Sequence, residues 1–335
     1  MKPAVLFCPN QPAFRQQYAA IKEQSLTAGA LLPGTPGTLQ LRRGTGYAYW
    51  YRVYYPVPGK QAETLVGRES DSAAEKAMRA QMEFAESMTR QVGMLRKLGF
   101  QVADKITARV LVELHKLGAF EGGLLLAGKL GCIAWLNELG ARLRLPAGKP
   151  ASSPRLELVA PPSFLSQPLA AKLPLVTAAE STNAPTTQTA FTLPGQVLML
   201  TDILVAGSCF GSAVPGPGWS AISIPDHDYL IAGPAPGALL AGGQCIPVRL
   251  PQAARLVWHQ LAAPHAASER RLALTLAAVV LAQDPWALLT AWETAPATIT
   301  EPIRPLHDDL LADTAAHPDL QDLITDCLGS PAPTA

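Results

Sequence analysis

The sequence predicts an α/β (α+β) protein: a mixed sheet with helices, preceded by an aromatic β-hairpin and a long helix and followed by a helical C-terminal region. Three observations predict it. Residues 47–55 are dense in aromatic and β-branched side chains, as strands are. Residues 122–140 have the pattern of a buried strand, a glycine turn and a helix. From residue 251 onwards, apolar side chains recur at helical spacing.

Residues 1–104 are the first predicted unit, an N-terminal arm. Its expected elements are a helix over 11–30, a hairpin with strands over 47–55 and 62–67, and a helix over 73–98. Asp71 or Ser72 can cap the last helix, because Glu75 follows Ser72 by three residues, as in a capping box.

Residues 105–250 are predicted to form the α/β core and residues 251–335 a helical region. The core elements are a helix over 106–117, a strand over 122–127, a helix over 129–139, and strands over 155–160, 197–205 and 244–248. Between them, residues 161–195 are rich in Pro, Thr, Ser and Ala and are expected to be loop. The C-terminal helices are expected over 252–261, 268–282 and 285–293, followed by an acidic tail.

The composition is that of a globular chain, with 48% hydrophobic and 16% charged residues and a net charge of +1. The charge is uneven along the chain. Residues 1–150 carry 20 Lys and Arg against 11 Asp and Glu, whereas residues 151–335 carry 7 against 15. The basic half can dock on the acidic half, face an anionic partner such as nucleic acid, or simply be solvated.

Cysteine spacing and the N-terminus exclude several classes of protein. The five cysteines are far apart and form no CxxC pair, which argues against a disulfide framework and a zinc site. The apolar run over 4–8 is ended by Pro9 and is too short for a signal peptide or a membrane span. We therefore expect no membrane association and a cytoplasmic location.

Three blocks of sequence resemble one known family. They are a Tyr49-Trp50-Tyr51 hairpin returning to Gly67, a core with Leu117-Gly118-Ala119-Phe120, Leu124 to Gly128 and Leu139-Gly140, and a block with Pro251, Arg255 and His259. In this order they are similar to an uncharacterised bacterial family with the nucleotidyltransferase fold, distant relatives of the minimal nucleotidyltransferases. The resemblance spans roughly residues 45 to 295.

The resemblance implies a metal-dependent nucleotide site at Gly128. In that fold, paired carboxylates hold divalent metal ions that align an attack on the α-phosphorus of a nucleoside triphosphate. A small turn before the first core helix holds phosphates with backbone N–H groups. The corresponding residues here are Gly128, Lys129 and Glu157, which we interpret as a vestigial nucleotide-binding site.

The sequence departs from the family at the positions that carry chemistry. The two Asp of the family are expected to fall at Leu156 and Leu158, and strand alternation would then turn Glu157 away from the site. A shift of one residue restores a single ligand. Gln260 also replaces the Lys that follows the family's His. We therefore predict no catalytic residue, no metal site and no cofactor, with Mg²⁺ and a nucleoside triphosphate required only if the chain is active.

The hairpin offers a second candidate site, an interaction arm. Its candidate residues are Arg42, Arg43, Tyr49, Trp50 and Arg52. Basic side chains among aromatic rings suit phosphate contacts and base stacking in nucleic acid. Alternatively, the aromatic rings pack on the helix over 73–98 and the arginines are only solvated.

Two further histidines, His227 and His259, are candidate functional residues. His227 lies between Asp226 and Asp228, which indicates either a metal or acid–base cluster or a solvated turn, and the turn is the favoured interpretation. His259 is expected to pack or cap a helix. The leading function is a catalytically degenerate binding or assembly component with a protein partner, nucleic acid being the second candidate partner. The alternative is an active nucleotidyltransferase with an unknown acceptor.

Overall fold

A computed structural model describes residues 5–57, 59–144, 155–178, 188–193, 196–263 and 267–329. The predicted class is confirmed, because helices alternate with sheets that mix parallel and antiparallel strands. The first elements are β1 (Phe7–Pro9), α1 (Pro12–Thr27), β2 (Thr38–Gly44), β3 (Tyr47–Val57), β4 (Lys60–Arg68) and α2 (Ser72–Lys97).

The predicted hairpin is part of a larger antiparallel meander, β2–β3–β4. The prediction lacked β2, whose apolar positions alternate but whose aromatic content is low. Pairing with β3 stabilises it, and Arg42 lies opposite Tyr49 in the register. The predicted cap of α2 is confirmed for Asp71, whose Oδ1 accepts a hydrogen bond from the N–H of Ala74 at 3.0 Å.

The middle of the chain forms the α/β core. Its elements are α3 (Lys105–Lys116), β5 (Leu125–Leu126), α4 (Gly128–Glu138), β6 (Ala141–Leu143), β7 (Arg155–Val159), α5 (Pro168–Lys172), β8 (Leu175–Ala178), β9 (Gln188–Leu193), β10 (Gln196–Ala206), β11 (Ala213–Pro215), β12 (Ser220–Ile224), α6 (His227–Ile231), β13 (Ala235–Ala241) and β14 (Gln244–Leu250). The short β1 and β6 pair with each other at one side.

The central sheet runs in the order β11–β12–β10–β7–β5, with β9 also paired to β10 and β8 to β9. As predicted, β5 and β7 are neighbours, and they are antiparallel. Strand β10 is parallel to both β7 and β12. Strands β7 and β10 therefore run in the same direction, and the side chains of partner residues lie next to each other on the same face of the sheet.

The prediction that residues 161–195 form a loop is wrong for part of the residues that the structure describes in this range. Strands β8 and β9 pair with each other, and β9 continues onto β10. Phe191 of β9 is fully buried in the core. Consecutive antiparallel strands form here although the Pro-, Thr-, Ser- and Ala-rich sequence shows little periodicity, so local pattern did not predict them. Residues 179–187 and 194–195 lie outside the described residues.

The C-terminal helices cover one side of the core. They are α7 (Ala253–Ala262), α8 (Ala267–Gln283), α9 (Ala287–Glu293), α10 (Ala297–Ile303), α11 (His307–Asp313) and α12 (Pro318–Leu328). One buried cluster joins Leu125 and Val159 of the sheet to Trp258 and Leu276 of these helices. Among the described residues, no single helix is long and apolar enough to cross a membrane, and the segments Glu269–Gln283 and Ala287–Glu293 pass that test only as a pair bent by 116°.

Candidate functional site

The junction between β5 and α4, here called the Gly128 turn, is tightly packed. Gly128 has φ of +59°, in the left-handed region, and is the first residue of α4. A Cβ added at Gly128 would lie 2.4 Å from Oε1 of Glu157. The Glu157 carboxylate therefore lies directly against the turn, and a larger side chain than glycine at position 128 would displace it.

This placement corrects the predicted register of β7. Leu156 and Leu158 are fully buried in a hydrophobic cluster, while Glu157, between them, faces the Gly128 turn. The expectation that Leu156 and Leu158 occupy the turn-facing positions is wrong. The alternation of polar and apolar residues in β7 itself places the two leucines on the core face, so the alignment with the family was out of register by one residue, which turns every side chain of a strand to the other face.

Arg155 and Asp202 lie beside Glu157. Asp202 of β10 is the direct partner of Glu157 in the strand register, so their side chains share a face. Arg155, two residues before Glu157, binds Asp202 with Nη1 to Oδ2 at 2.8 Å. The Gly128 turn is thus faced by two carboxylates and by one arginine that is already paired.

Burial is the main influence on both carboxylates. It raises the pKa of Glu157, and Asp202 and Glu269 raise it further, while His259 and Arg155 lower it. Burial also raises the pKa of Asp202, despite the opposing charge and hydrogen bond of Arg155. Protonation of these groups is therefore easier than in water, as expected for carboxyl groups withdrawn from solvent.

A buried histidine–aspartate pair lies close to Glu157. His259 Nδ1 and Asp226 Oδ2 are 2.5 Å apart, and both side chains are almost completely buried. His259 is therefore held by a carboxylate inside the core, which agrees with the expectation that it packs on a helix. Its charge acts on Glu157, so the pair belongs to the same polar cluster.

The solvated turn expected around His227 is also wrong. His227 is 2% exposed, and its Nε2 is 2.6 Å from the carbonyl oxygen of Ala160. Asp228, in contrast, is exposed. Asp226 was predicted only as a neighbour of His227, and Asp202 was not predicted at all. A single acidic residue within the apolar strand β10 indicates a functional or paired group, because an unpaired buried charge is costly.

Lys129 follows Gly128 and is half-buried in the first turn of α4. The helix continues normally, since the N–H of Gly131 donates to the carbonyl of Ala127 at 2.9 Å. Within the described residues, no group of three or more His, Cys, Asp or Glu side chains is arranged to hold a metal ion. The chemistry that the turn offers is proton exchange and charge pairing among buried groups.

The arm residues divide into two sets. Arg42 and Arg43 are exposed, and they pair with Glu63 of β4 and with Glu69, just after β4. Tyr49 is half-buried and contacts the edge of the exposed Tyr47 ring, with centroids 5.5 Å apart. Arg42 lies opposite Tyr49 in the register, so the exposed face of the meander combines aromatic rings with the Arg42–Glu63 pair, while Arg43, the next residue of β2, lies on the other face.

Trp50 and Arg52 lie on the opposite face. The guanidinium carbon of Arg79, on α2, is 5.7 Å from the centroid of the Trp50 ring, and the Trp50 indole nitrogen is buried. Arg52 is 2% exposed. It donates hydrogen bonds to the carbonyl oxygens of Pro33, Thr35 and Pro36 at 2.5–2.8 Å. Arg52 therefore holds a loop in place and is unavailable to a partner, which corrects its assignment to the interaction surface.

Comparisons of the chain with protein-family models, with curated proteins and with solved structures find no match. The geometry of the Gly128 turn and of the meander therefore carries the functional argument alone.

Proposed function

We propose that this chain is a catalytically degenerate, nucleotidyltransferase-like protein that acts as a cytoplasmic binding or assembly component. The observation that carries the proposal is the ion pair between Arg155 and Asp202 beside the Gly128 turn. An arginine lies where the fold would need a metal-binding carboxylate.

The corrected register of β7 supports this reading. If Glu157 faces the turn, a pattern of two acids one residue apart corresponds to Arg155 and Glu157 instead of Leu156 and Leu158. Mg²⁺ requires several oxygen ligands in octahedral geometry. A guanidinium group at one of these positions repels a divalent cation and occupies the Asp202 carboxylate that could otherwise help to bind it.

The Gly128 turn is also poorly suited to a triphosphate. The Glu157 carboxylate lies against the first residue of α4, where an active enzyme would hold phosphate oxygens with backbone N–H groups. A carboxylate in this place repels a phosphate, unless the carboxylate is protonated. These charges favour a scaffold that no longer transfers nucleotides.

The meander supplies the surface for a partner. Its outer face presents Tyr47, Tyr49 and Tyr51, and Arg42 lies over the Tyr51 ring at 5.3 Å from the centroid. The aromatic rings of this face suit a protein partner, whereas nucleic-acid binding depends on unpaired positive charge and Arg42 is already paired with Glu63.

One observation favours the alternative function, a metal-dependent nucleotidyltransferase. Glu157 and Asp202 lie directly opposite each other on parallel strands. Two carboxylates in this relation can bridge a divalent ion once Arg155 moves away. The acceptor of the nucleotidyl group would then be an unknown hydroxyl compound.

Titration calorimetry with Mn²⁺ and ATP separates these functions. We expect no metal-dependent ATP binding to the wild-type chain. The variant R155D should gain Mn²⁺ binding, because it removes the guanidinium and frees Asp202 beside Glu157. The double variant R155D/E157Q should lose that gain, and R90D, at an exposed position of α2, should behave as wild type.

Each other outcome contradicts a specific part of the proposal. Metal-dependent ATP binding by the wild-type chain at micromolar strength, about −8 kcal/mol, would support the enzyme. A folded R155D variant that binds no Mn²⁺ would show that the Gly128 turn is not a lapsed metal site. Thermal unfolding of each variant verifies that it is folded.

A further inference from the structure

A cavity of about 200 Å³ lies between α2, the first turns of α3 and the loop before β2. Lys105 and Arg109 of α3 line it, together with Thr35, Thr89 and Gln244. None of the described residues that line it is acidic. The cavity therefore combines positive charge with neutral polar groups.

Arg109 has a hydrogen-bond donor, Nε, without a partner among the described residues. Its side chain is 9% exposed, and Nη1 lies 2.7 Å from Oε1 of Glu113. Glu113 is also shared with Lys116, whose Nζ is 3.6 Å from Oε2. A buried guanidinium with an unused donor and a shared counter-ion is suited to an additional anion.

Arg52 adds to the positive potential without competing for a ligand. Burial lowers the pKa of Arg52, Tyr54 raises it and the nearby charge of Arg109 lowers it, and together these effects give a pKa of about 10. The donors of Arg52 are bound to backbone carbonyls, including those of Thr35 and Pro36 in the cavity wall. Arg109 and Lys105 are thus the cations available to a bound molecule.

A second, more apolar cavity of about 190 Å³ adjoins the first. Phe84 and Met88 of α2 and Leu31 line it. Both cavities include Ala85 and Gln244 in their walls, so they meet at these residues. Together they resemble a small-molecule site, which is mostly apolar with a few placed polar or charged groups.

We infer that the two cavities bind a small amphiphilic anion, whose carboxylate or phosphate contacts Arg109 and Lys105 and whose apolar body lies against Phe84 and Met88. The planar guanidinium of Arg109 can bind either kind of oxyanion through two donors. This inference is independent of the Gly128 turn and stands whether or not the function proposed above is correct.

Titration calorimetry of the full chain with three probes of equal apolar length tests the inference. The probes are octanoate, octyl phosphate and octanol. We expect at least one anion to bind at least tenfold more tightly than octanol, because only the anions can pair with Arg109 and Lys105. The stronger of the two anions identifies the headgroup as carboxylate or phosphate.

Variants locate the binding within the molecule. R109Q and K105Q should each weaken the anion about tenfold or more without affecting octanol, while R90Q leaves both unchanged. A85L, which fills the junction of the cavities, should weaken all three probes. If R109Q does not fold, K105Q and A85L carry the test. Absence of anion binding, equal binding of octanol, or anion binding unaffected by K105Q and A85L would overturn the inference.

Discussion

The Gly128 turn and the cavity beside Arg109 both have clusters of charged side chains, but the charges are balanced differently in the two places. At the turn, Arg155 is matched by Asp202 across adjacent strands, and His259 by Asp226. Beside the cavity, Arg109 shares Glu113 with Lys116 and keeps an unused Nε. In the first region each of these cations has its own carboxylate. In the second region one carboxylate serves two cations, and one donor of Arg109 has no partner among the described residues.

The site expected from the resemblance and the open cavity lie in different parts of the molecule. The turn is where the resemblance expects a nucleotide, yet Glu157 is packed against it. The cavity has no counterpart in that resemblance, yet it has both open volume and available donors. Unbalanced charge beside open space is a better indicator of a binding site than a weakly matching motif.

The largest expected effect is on the wall of the cavity. Arg52→Ala removes the donors to the carbonyls of Pro33, Thr35 and Pro36 and leaves these groups without their partner. We expect a loss of about 3 kcal/mol in the free energy of unfolding, measured in urea. Arg52→Lys should give an intermediate loss, because lysine keeps the charge but not the planar fork.

A loss below about 1 kcal/mol for Arg52→Ala would contradict the structural role of Arg52. Arg52 would then be available to a partner. The contrast between Arg52, whose donors bind carbonyl oxygens, and Arg109, whose Nε has no partner among the described residues, would be weaker.

An effect of intermediate size is expected at the Gly128 turn. Since burial raises the pKa of Glu157 above its ordinary value of 4.5, its contribution to stability is complete below that pH and is lost as pH rises through the folded-state pKa. Glu157→Gln cannot ionise, so the variant should be more stable than wild type at pH 8, by roughly 1 kcal/mol.

The measurement is urea unfolding of both chains from pH 4 to pH 8. The stability difference should grow with pH, whereas Glu86→Gln, at an exposed position of α2, should show no such trend. Asp202, His259, Arg155 and Glu269 remain in both chains, so the difference reports the ionisation of Glu157 together with its electrostatic coupling to these groups. A difference that shrinks as pH rises would show that Glu157 is stabilised as a carboxylate.

The smallest effect is expected at the exposed arginines of the meander. Arg42 and Arg43 form exposed ion pairs, which contribute little to stability. The double variant R42A/R43A should stay within about 1 kcal/mol of wild type in the free energy of unfolding. Wild-type and variant chains should bind single-stranded RNA or DNA equally weakly at every salt concentration.

Nucleic-acid binding would give a different pattern. The affinity of the wild-type chain would fall steeply with salt, with a slope of roughly −0.7 to −0.9 for each phosphate neutralised. The slope would then be smaller in R42A/R43A. That result would identify nucleic acid, and not a protein, as the partner of the meander. It would not change the structural role of the buried Arg52.

Local pattern predicted the long helices of this protein and several of its strands. Hydrophobic periodicity predicted α2, α3, α4 and α8 to within a few residues, because their apolar faces recur at helical spacing. Gly128 also marked the end of β5, since only glycine tolerates its positive φ so close to another side chain. The adjacency of β5 and β7 followed from their order and from the apolar character of both strands.

Tertiary structure alone decided which of these residues meet. Strands β8, β9 and β10 stabilise one another as consecutive antiparallel strands that the sequence pattern did not reveal, and Arg52 is buried because the loop before β2 folds over it. The alternation in β7 places its leucines in the core, but only the folded chain shows that Glu157 then lies against the Gly128 turn. The Arg155–Asp202 pair joins residues 47 positions apart. Local pattern does not contain contacts of this kind, so the partners of Glu157 and the cavity beside Arg109 became visible only in the folded chain.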